Sequence, residues 1–103
     1  MSINVQELVV TNNEAKKRFE IDLGDGDLAM IEYMIAGEWI VYTHTEVPEK
    51  YEGMGIASHM AKTALNYAVE KELRIQPLCP YIAMYIRRHP EYQPITLGYR
   101  PKK

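Results

Sequence analysis

The chain has a single cysteine, Cys79, so no internal disulfide can brace it. Its three histidines, His44, His59 and His89, are scattered and lack cysteine partners, a pattern that argues against a structural zinc site. No uninterrupted apolar run approaches the ~18 residues a membrane-spanning helix needs. The amino terminus lacks the charged-then-apolar layout of a secretory signal, which points to a cytoplasmic protein. An excess of one charge is also missing. The formal net charge is −2, and the basic clusters Lys16-Lys17-Arg18, Arg87-Arg88 and Lys102-Lys103 are too short to follow a nucleic-acid backbone. The first and last of these read as solvated ends. There are no internal repeats or low-complexity tracts, so the 103 residues are expected to form one domain around one core.

What is present is a change of period partway along the chain. Val5 to Val10 is a short apolar run that reads as a first strand, and Thr11-Asn12-Asn13 after it reads as a turn. From Arg18 to Leu23 a strict alternation places Phe19, Ile21 and Leu23 on one face of a strand. Asp25-Gly26 is a hairpin signal, because both residues tolerate the positive φ of a tight turn. Leu28 to Ile35 forms the returning strand, and a third strand runs from Trp39 to Val47. On it, alternation separates Trp39, Val41, Thr43, Thr45 and Val47 from Ile40, Tyr42, His44 and Glu46. From Ile56 to Leu73 the period becomes helical, with an alanine-rich apolar side that allows close approach to a sheet. Leu73 to Gln76 reads as a short strand, parallel to the preceding one if the crossover has its usual hand. Pro80 then suits the first position of a short helix that Pro90 must end, leaving Cys79 at the N-cap. The tail offers a short extended piece at Ile95 to Leu97. The expected architecture is thus α/β, with a mainly antiparallel sheet, a strand–glycine loop–helix–strand unit and a short C-terminal helix.

Between the third strand and the long helix lies Val47-Pro48-Glu49-Lys50-Tyr51-Glu52-Gly53-Met54-Gly55-Ile56-Ala57-Ser58. Gly53 and Gly55 let the backbone turn tightly, and the unpaired N–H groups of the first helical turn form an anion-binding nest at the positive end of the helix dipole. This segment resembles the acyl-CoA loop of the GNAT superfamily of N-acetyltransferases: Arg or Gln, two residues, Gly, one residue, then Gly or Ala. Gly55 and Ala57 fall on the last two motif positions, while Glu52 replaces the usual Arg or Gln, removing a side-chain contact to phosphate but leaving the amides. Two further segments, His44-Thr45-Glu46-Val47 and Pro77-Leu78-Cys79-Pro80 followed by Arg88-His89-Pro90-Glu91-Tyr92, are similar to those of compact GNAT-like acetyl-CoA-binding proteins. The resemblance spans residues 15 to 92. It lacks the pair of helices that help bind the acceptor in larger relatives; a hairpin stands in their place.

The resemblance implies a cofactor, acetyl-CoA, and an unidentified amine as acceptor. It places the cofactor on Thr45, Glu46 and Val47 of the strand and on Gly53, Met54, Gly55, Ile56, Ala57 and Ser58 of the loop. Arg88, one turn from Tyr85, is a candidate phosphate contact, its alternative being a solvated arginine that the dipole favours near a helix C-terminus. Transfer needs an acid for the leaving thiolate. Tyr85 matches the family tyrosine and is the first choice, its alternative being a packing role. Cys79, at a helix N-terminus that favours thiolate, is a candidate nucleophile, a residue lining the acetyl pocket, or a small buried side chain. His44 is a candidate base for the amine or a group orienting Cys79; otherwise it is structural. Two rivals share the same residues: a non-catalytic acyl-CoA-binding module, and an interaction domain whose glycine loop is only a turn. The oligomeric state stays open.

Overall fold

The computed structural model describes residues 4–99, so Lys102-Lys103 lie outside it. Four antiparallel strands come first: β1 (Thr11–Asn13), β2 (Arg18–Gly24), β3 (Asp27–Ala36) and β4 (Trp39–Glu46). Helix α1 (Ile56–Glu70), strand β5 (Arg74–Pro77) and helix α2 (Pro80–Arg88) follow. The sheet order is β1-β2-β3-β4-β5, with only β4 and β5 parallel. The β2–β3 turn is made by Asp25 and Gly26, both at positive φ, as the right-handed twist of a two-residue hairpin demands.

One face of the sheet and both helices share a single core. Phe19, Ile21, Ala29, Ile31, Tyr33, Ile40, Tyr42 and Ile75 meet Ile56, Met60, Ala61, Ala64, Leu65 and Ala68 of α1, together with Ile82, Tyr85 and Ile86 of α2. Burying the larger of these side chains contributes roughly 1.5–3 kcal/mol each. Three alanines on α1 let it approach closely enough for the Tyr42 hydroxyl to donate to Ala64 O at 2.5 Å. On the opposite face of the sheet Glu20, Met30, Glu32 and Met34 are none of them fully buried.

In four places the chain departs from simple pattern reading. Val5–Glu7 is a 3-10 turn rather than a strand; Asn4 caps it by accepting from Gln6 N at 3.2 Å. The first strand is instead Thr11–Asn13, because polar residues that favour turns here find cross-strand partners: Tyr33 Oη donates to Asn12 Oδ1 at 2.7 Å and Asn13 Nδ2 donates to Glu20 Oε2 at 3.2 Å. Arg18 is not part of a solvated end, since it is held against Glu20 on the sheet. The tail is a 3-10 helix, Pro90–Ile95, after which Thr96 makes a parallel bridge to Ile75.

A fifth departure bears directly on function. Glu32 pairs with His44 and Tyr33 pairs with Tyr42, so Thr43 is an extra residue, a β-bulge in β4. Strict alternation would separate Thr45 from Tyr42. The bulge resets the phase, so Thr45, opposite buried Ile31, joins Ile40 and Tyr42 on the helix side, and His44 and Glu46 turn to the open face.

Candidate functional site

β4 pairs with β3 as far as Glu46 but with β5 only from Trp39↔Arg74 to Tyr42↔Pro77. One more contact, Cys79 N to Tyr42 O at 2.9 Å, marks where the chain leaves the sheet for α2. Beyond it the two parallel strands part, and Thr45 faces the gap. Cys79 sits on the other side, 3% exposed. Although it occupies the N-cap position, its side chain makes no capping bond; its Sγ lies 3.2 Å from Thr45 Oγ1 instead. Thr45 is thus the polar partner of Cys79. His44, on the open face, has Nε2 3.2 Å from Glu46 Oε1.

At the other end of the gap is the start of α1. Gly55 is the N-cap residue, with φ +86°, and Gly53 has φ +80°, conformations that L side chains rarely adopt. No side chain caps this end, the first turn contains no acidic residue, and the first backbone bond is from His59 N to Gly55 O at 3.0 Å. The N–H groups of Gly55, Ile56, Ala57 and Ser58 therefore have no acceptor among the described residues. The loop is fixed from behind. Lys50 Nζ lies 2.8 Å from Asp27 Oδ2, and Tyr51 Oη donates to Leu23 O at 3.3 Å.

A cavity of about 340 Å³ joins the two ends; Thr45, Val47, Gly53, Gly55, Ile56, Ala57 and Ser58 line it together with Tyr51, Glu52 and Tyr81. Of the residues expected here, Met54 is exposed and lies on the far side of the glycine turn, and the Glu46 side chain is on the open face. Arg88 is exposed in the last turn of α2, where its charge acts on the Tyr81 phenol. Tyr85 is buried and is not in the cavity wall; its ring stacks on His89 at 3.8 Å, and His89 Nδ1 lies 2.8 Å from Tyr85 O. Tyr81, which pattern reading left unassigned, is the α2 tyrosine in the wall, beside Tyr51 of the loop. Its signal was present in the spacing: Tyr81 and Tyr85 are four residues apart, on one side of α2. Burial holds the pKa of both phenols above the ordinary tyrosine value, and the nearby Ser58 hydroxyl offsets part of that rise in each. Both therefore keep their protons at neutral pH.

The residues present fit a diphosphate joined to a long chain. Four free amides and a helix dipole can take the anion, a groove leads away from them, and the unladdered stretch of β4 offers backbone groups along it. Glu52 is the one contrary charge, and it is exposed at the mouth. Splayed parallel strands with an amide nest at the head of the crossover helix define the N-acetyltransferase class of fold. The family pattern described as GCN5-related N-acetyl-transferase matches residues 18–95. The chain belongs to that family, whose members in general use acetyl-CoA and an amine acceptor. It is similar to Protein NATD1 of Mus musculus, with 40% identity over 83 residues covering 79% of this chain and 76% of that protein. Protein NATD1 of Homo sapiens is also 40% identical over 83 residues, covering 79% of this chain and 74% of that protein. In fold it is similar to a GCN5-like protein from Staphylococcus aureus whose solution structure superposes with a TM-score of 0.70, at 24% identity over 90% of this chain and 91% of that one.

Proposed function

We propose that this protein binds acetyl-CoA and transfers its acetyl group to an amine. The observation that carries the reading is the single cavity running from the free amides of Gly55 to Ser58 to Thr45, at the point where β4 and β5 separate. In this reading the diphosphate rests on the amides and the pantetheine arm lies along β4. The thioester then reaches the end of the groove at Thr45, where β4 and β5 have parted.

An amine arriving from the open face attacks the carbonyl carbon with its lone pair. The C–S bond breaks and the thiolate of CoA leaves. Tyr81, protonated in the cavity wall, gives that thiolate a proton, with Tyr85 close behind it through Ser58. His44, on the open face beside Glu46, accepts the proton that the attacking amine loses. Cys79 lies buried behind Thr45 at the end of the groove, and a covalent route would run through it: its thiolate attacks the thioester, CoA leaves with a proton, and the S-acetyl cysteine passes its acetyl to the amine.

Calorimetric titration of the full chain with acetyl-CoA and with CoA tests the cofactor, and thiol release across a panel of primary amines tests transfer. Micromolar or tighter binding with amine-dependent release of free CoA is expected, and intact mass after incubation without amine reports any acetyl adduct on Cys79. Binding without thiol release from any amine would leave a non-catalytic acyl-CoA module. No binding of either ligand would remove the reading altogether.

A further inference from the structure

A separate hollow of about 290 Å³ lies where the later turns of α1 pass β1 and β2, and it shares no residue with the groove described above. α1 contributes Thr63, Asn66, Tyr67 and Glu70, which fall three and four residues apart and so stand on one side of the helix. Val10, Asn12 and Phe19 complete the wall. Phe19 is buried and meets Tyr67 edge-on, with ring centroids 5.5 Å apart, so part of the lining is aromatic. Two carboxamides are fixed in one orientation. The Oδ1 of Asn12 accepts from the buried Tyr33 hydroxyl and the Oδ1 of Asn66 from the buried Tyr92 hydroxyl, each at 2.7 Å. Each amide is thereby left to present its NH₂ group, and no described residue accepts from either. Glu70 supplies the one charge in the wall and has no ion-pair partner among the described residues.

We propose that this hollow binds a free amino acid with an apolar or aromatic side chain, at a site independent of the acetyl-CoA reading. Its ammonium pairs with Glu70, its carboxylate accepts from the NH₂ groups of Asn12 and Asn66 and from the Thr63 hydroxyl, and its side chain lies on Phe19 and Tyr67. Charge complementarity selects this class. A simple cation would leave two amide donors without an acceptor, and a simple anion would meet the Glu70 carboxylate; a zwitterion satisfies both. The spacing agrees. Side chains three or four residues apart on a helix have Cβ atoms about 5–6 Å apart, a span that an ammonium and a carboxylate borne on one carbon can bridge. Lys71 Nζ lies 5.9 Å over the Tyr67 ring, so a positive charge also stands near the wall and favours the carboxylate. The volume is at the small end of ligand pockets, which run from ~300 Å³ upward, and suits one small metabolite.

The test is titration of the full chain with L-phenylalanine and L-leucine, followed by calorimetry and by backbone amide chemical shifts. Phenethylamine and hydrocinnamate serve as probes that lack the carboxylate and the ammonium. Saturable binding of at least one amino acid in the millimolar range or tighter is expected, with shifts gathered on Val10 to Asn12 and Thr63 to Lys71. Each truncated probe should bind about tenfold more weakly than L-phenylalanine, as loss of a charge-assisted contact requires. Glu70 and Thr63 are exposed, so Glu70→Gln and Thr63→Phe should fold, which their melting temperatures check. Glu70→Gln should weaken the amino acid about tenfold without weakening hydrocinnamate, and Thr63→Phe, which fills the hollow, should abolish binding. No saturable binding of either amino acid by the wild type, binding that survives in Thr63→Phe, or equal affinity in the wild type and Glu70→Gln overturns the proposal. None of these outcomes bears on the acetyl-CoA reading, because no residue of its groove is altered.

Discussion

Gly55 is the residue at which backbone geometry and the proposed cofactor site are most tightly joined. It sits at φ +86°, yet a Cβ built on it would meet nothing within 4 Å. A substitution there pays no steric cost against neighbours, only the cost of the left-handed conformation. For alanine that is about 1–2 kcal/mol, and it is greater for a β-branched residue such as valine. The chain has two ways to respond. If the loop keeps its shape, stability falls by that amount, which for a domain of this size lowers the Tm by about 4–8 °C per kcal/mol. If the loop relaxes instead, the amides of Gly55 to Ser58 no longer converge and CoA affinity falls. Gly55→Ala and Gly55→Val should therefore show a combined loss, shared between melting temperature and calorimetric affinity, with Val the worse. Gly55→Asn should recover part of it, because asparagine visits this region more readily. The reasoning is refuted if Gly55→Val melts and binds as the wild type does, or if Asn is no better than Ala.

Further perturbations bear on the core and on the chemistry. Tyr42→Phe removes the hydroxyl that donates to Ala64 O and should cost about 0.5–1.5 kcal/mol in chemical denaturation. Burial also raises the pKa of Tyr42, and those of Tyr33, Tyr81, Tyr85 and Tyr92, above the unfolded value. Below about pH 10 the stability these phenols contribute is fully present; above it the unfolded chain releases protons that the folded chain retains, so stability falls as pH rises. Denaturation at stepped alkaline pH should show that decline, and Tyr42→Phe should make it shallower by up to about 1.4 kcal/mol per pH unit; an unchanged slope would show that Tyr42 does not titrate differently in the two states. For catalysis, Tyr81→Phe should lower kcat by about 10²-fold with KM for acetyl-CoA nearly unchanged, and Tyr85→Phe should cost less. A larger loss from Tyr85→Phe would move the acid role to that residue.

The sequence carries much of this fold in plain view, and the reasons for the exceptions are physical. β2, β3 and β4 declare themselves by alternation and by the Asp25-Gly26 turn, and α1 by its period and its glycine N-cap. Pro80 and Pro90 bracket α2, which ends at Arg88. β1 is hidden, because the polar side chains of Asn12 and Asn13 become strand residues only through partners on β2 and β3, far along the chain. The bulge at Thr43 is hidden as well. Nothing local marks an extra residue in a run that alternates well, and its effect is to exchange the faces of His44 and Thr45. The glycine loop and Cys79 are legible as a pair of site elements, but the direct contact from Cys79 to Thr45 depends on that bulge. Tyr81 and Tyr85 are equivalent by spacing alone. Tyr81 lines the cavity and Tyr85 is buried beside His89, a difference that tertiary packing makes and spacing does not.

The Cys79 N to Tyr42 O contact acts as a depth stop. A strand advances ~3.3 Å per residue, so the number of residues between Arg74 and Pro80 measures how far up β4 the ladder climbs before the chain is diverted into α2. Two more residues there would carry the closed part of the sheet roughly 6.6 Å further, past the bulge and over Thr45. Two fewer would open the gap down toward Ile40 and expose the core. In the acetyl-CoA reading proposed above, the length of this one short segment would gauge how far a thioester arm can reach between the strands.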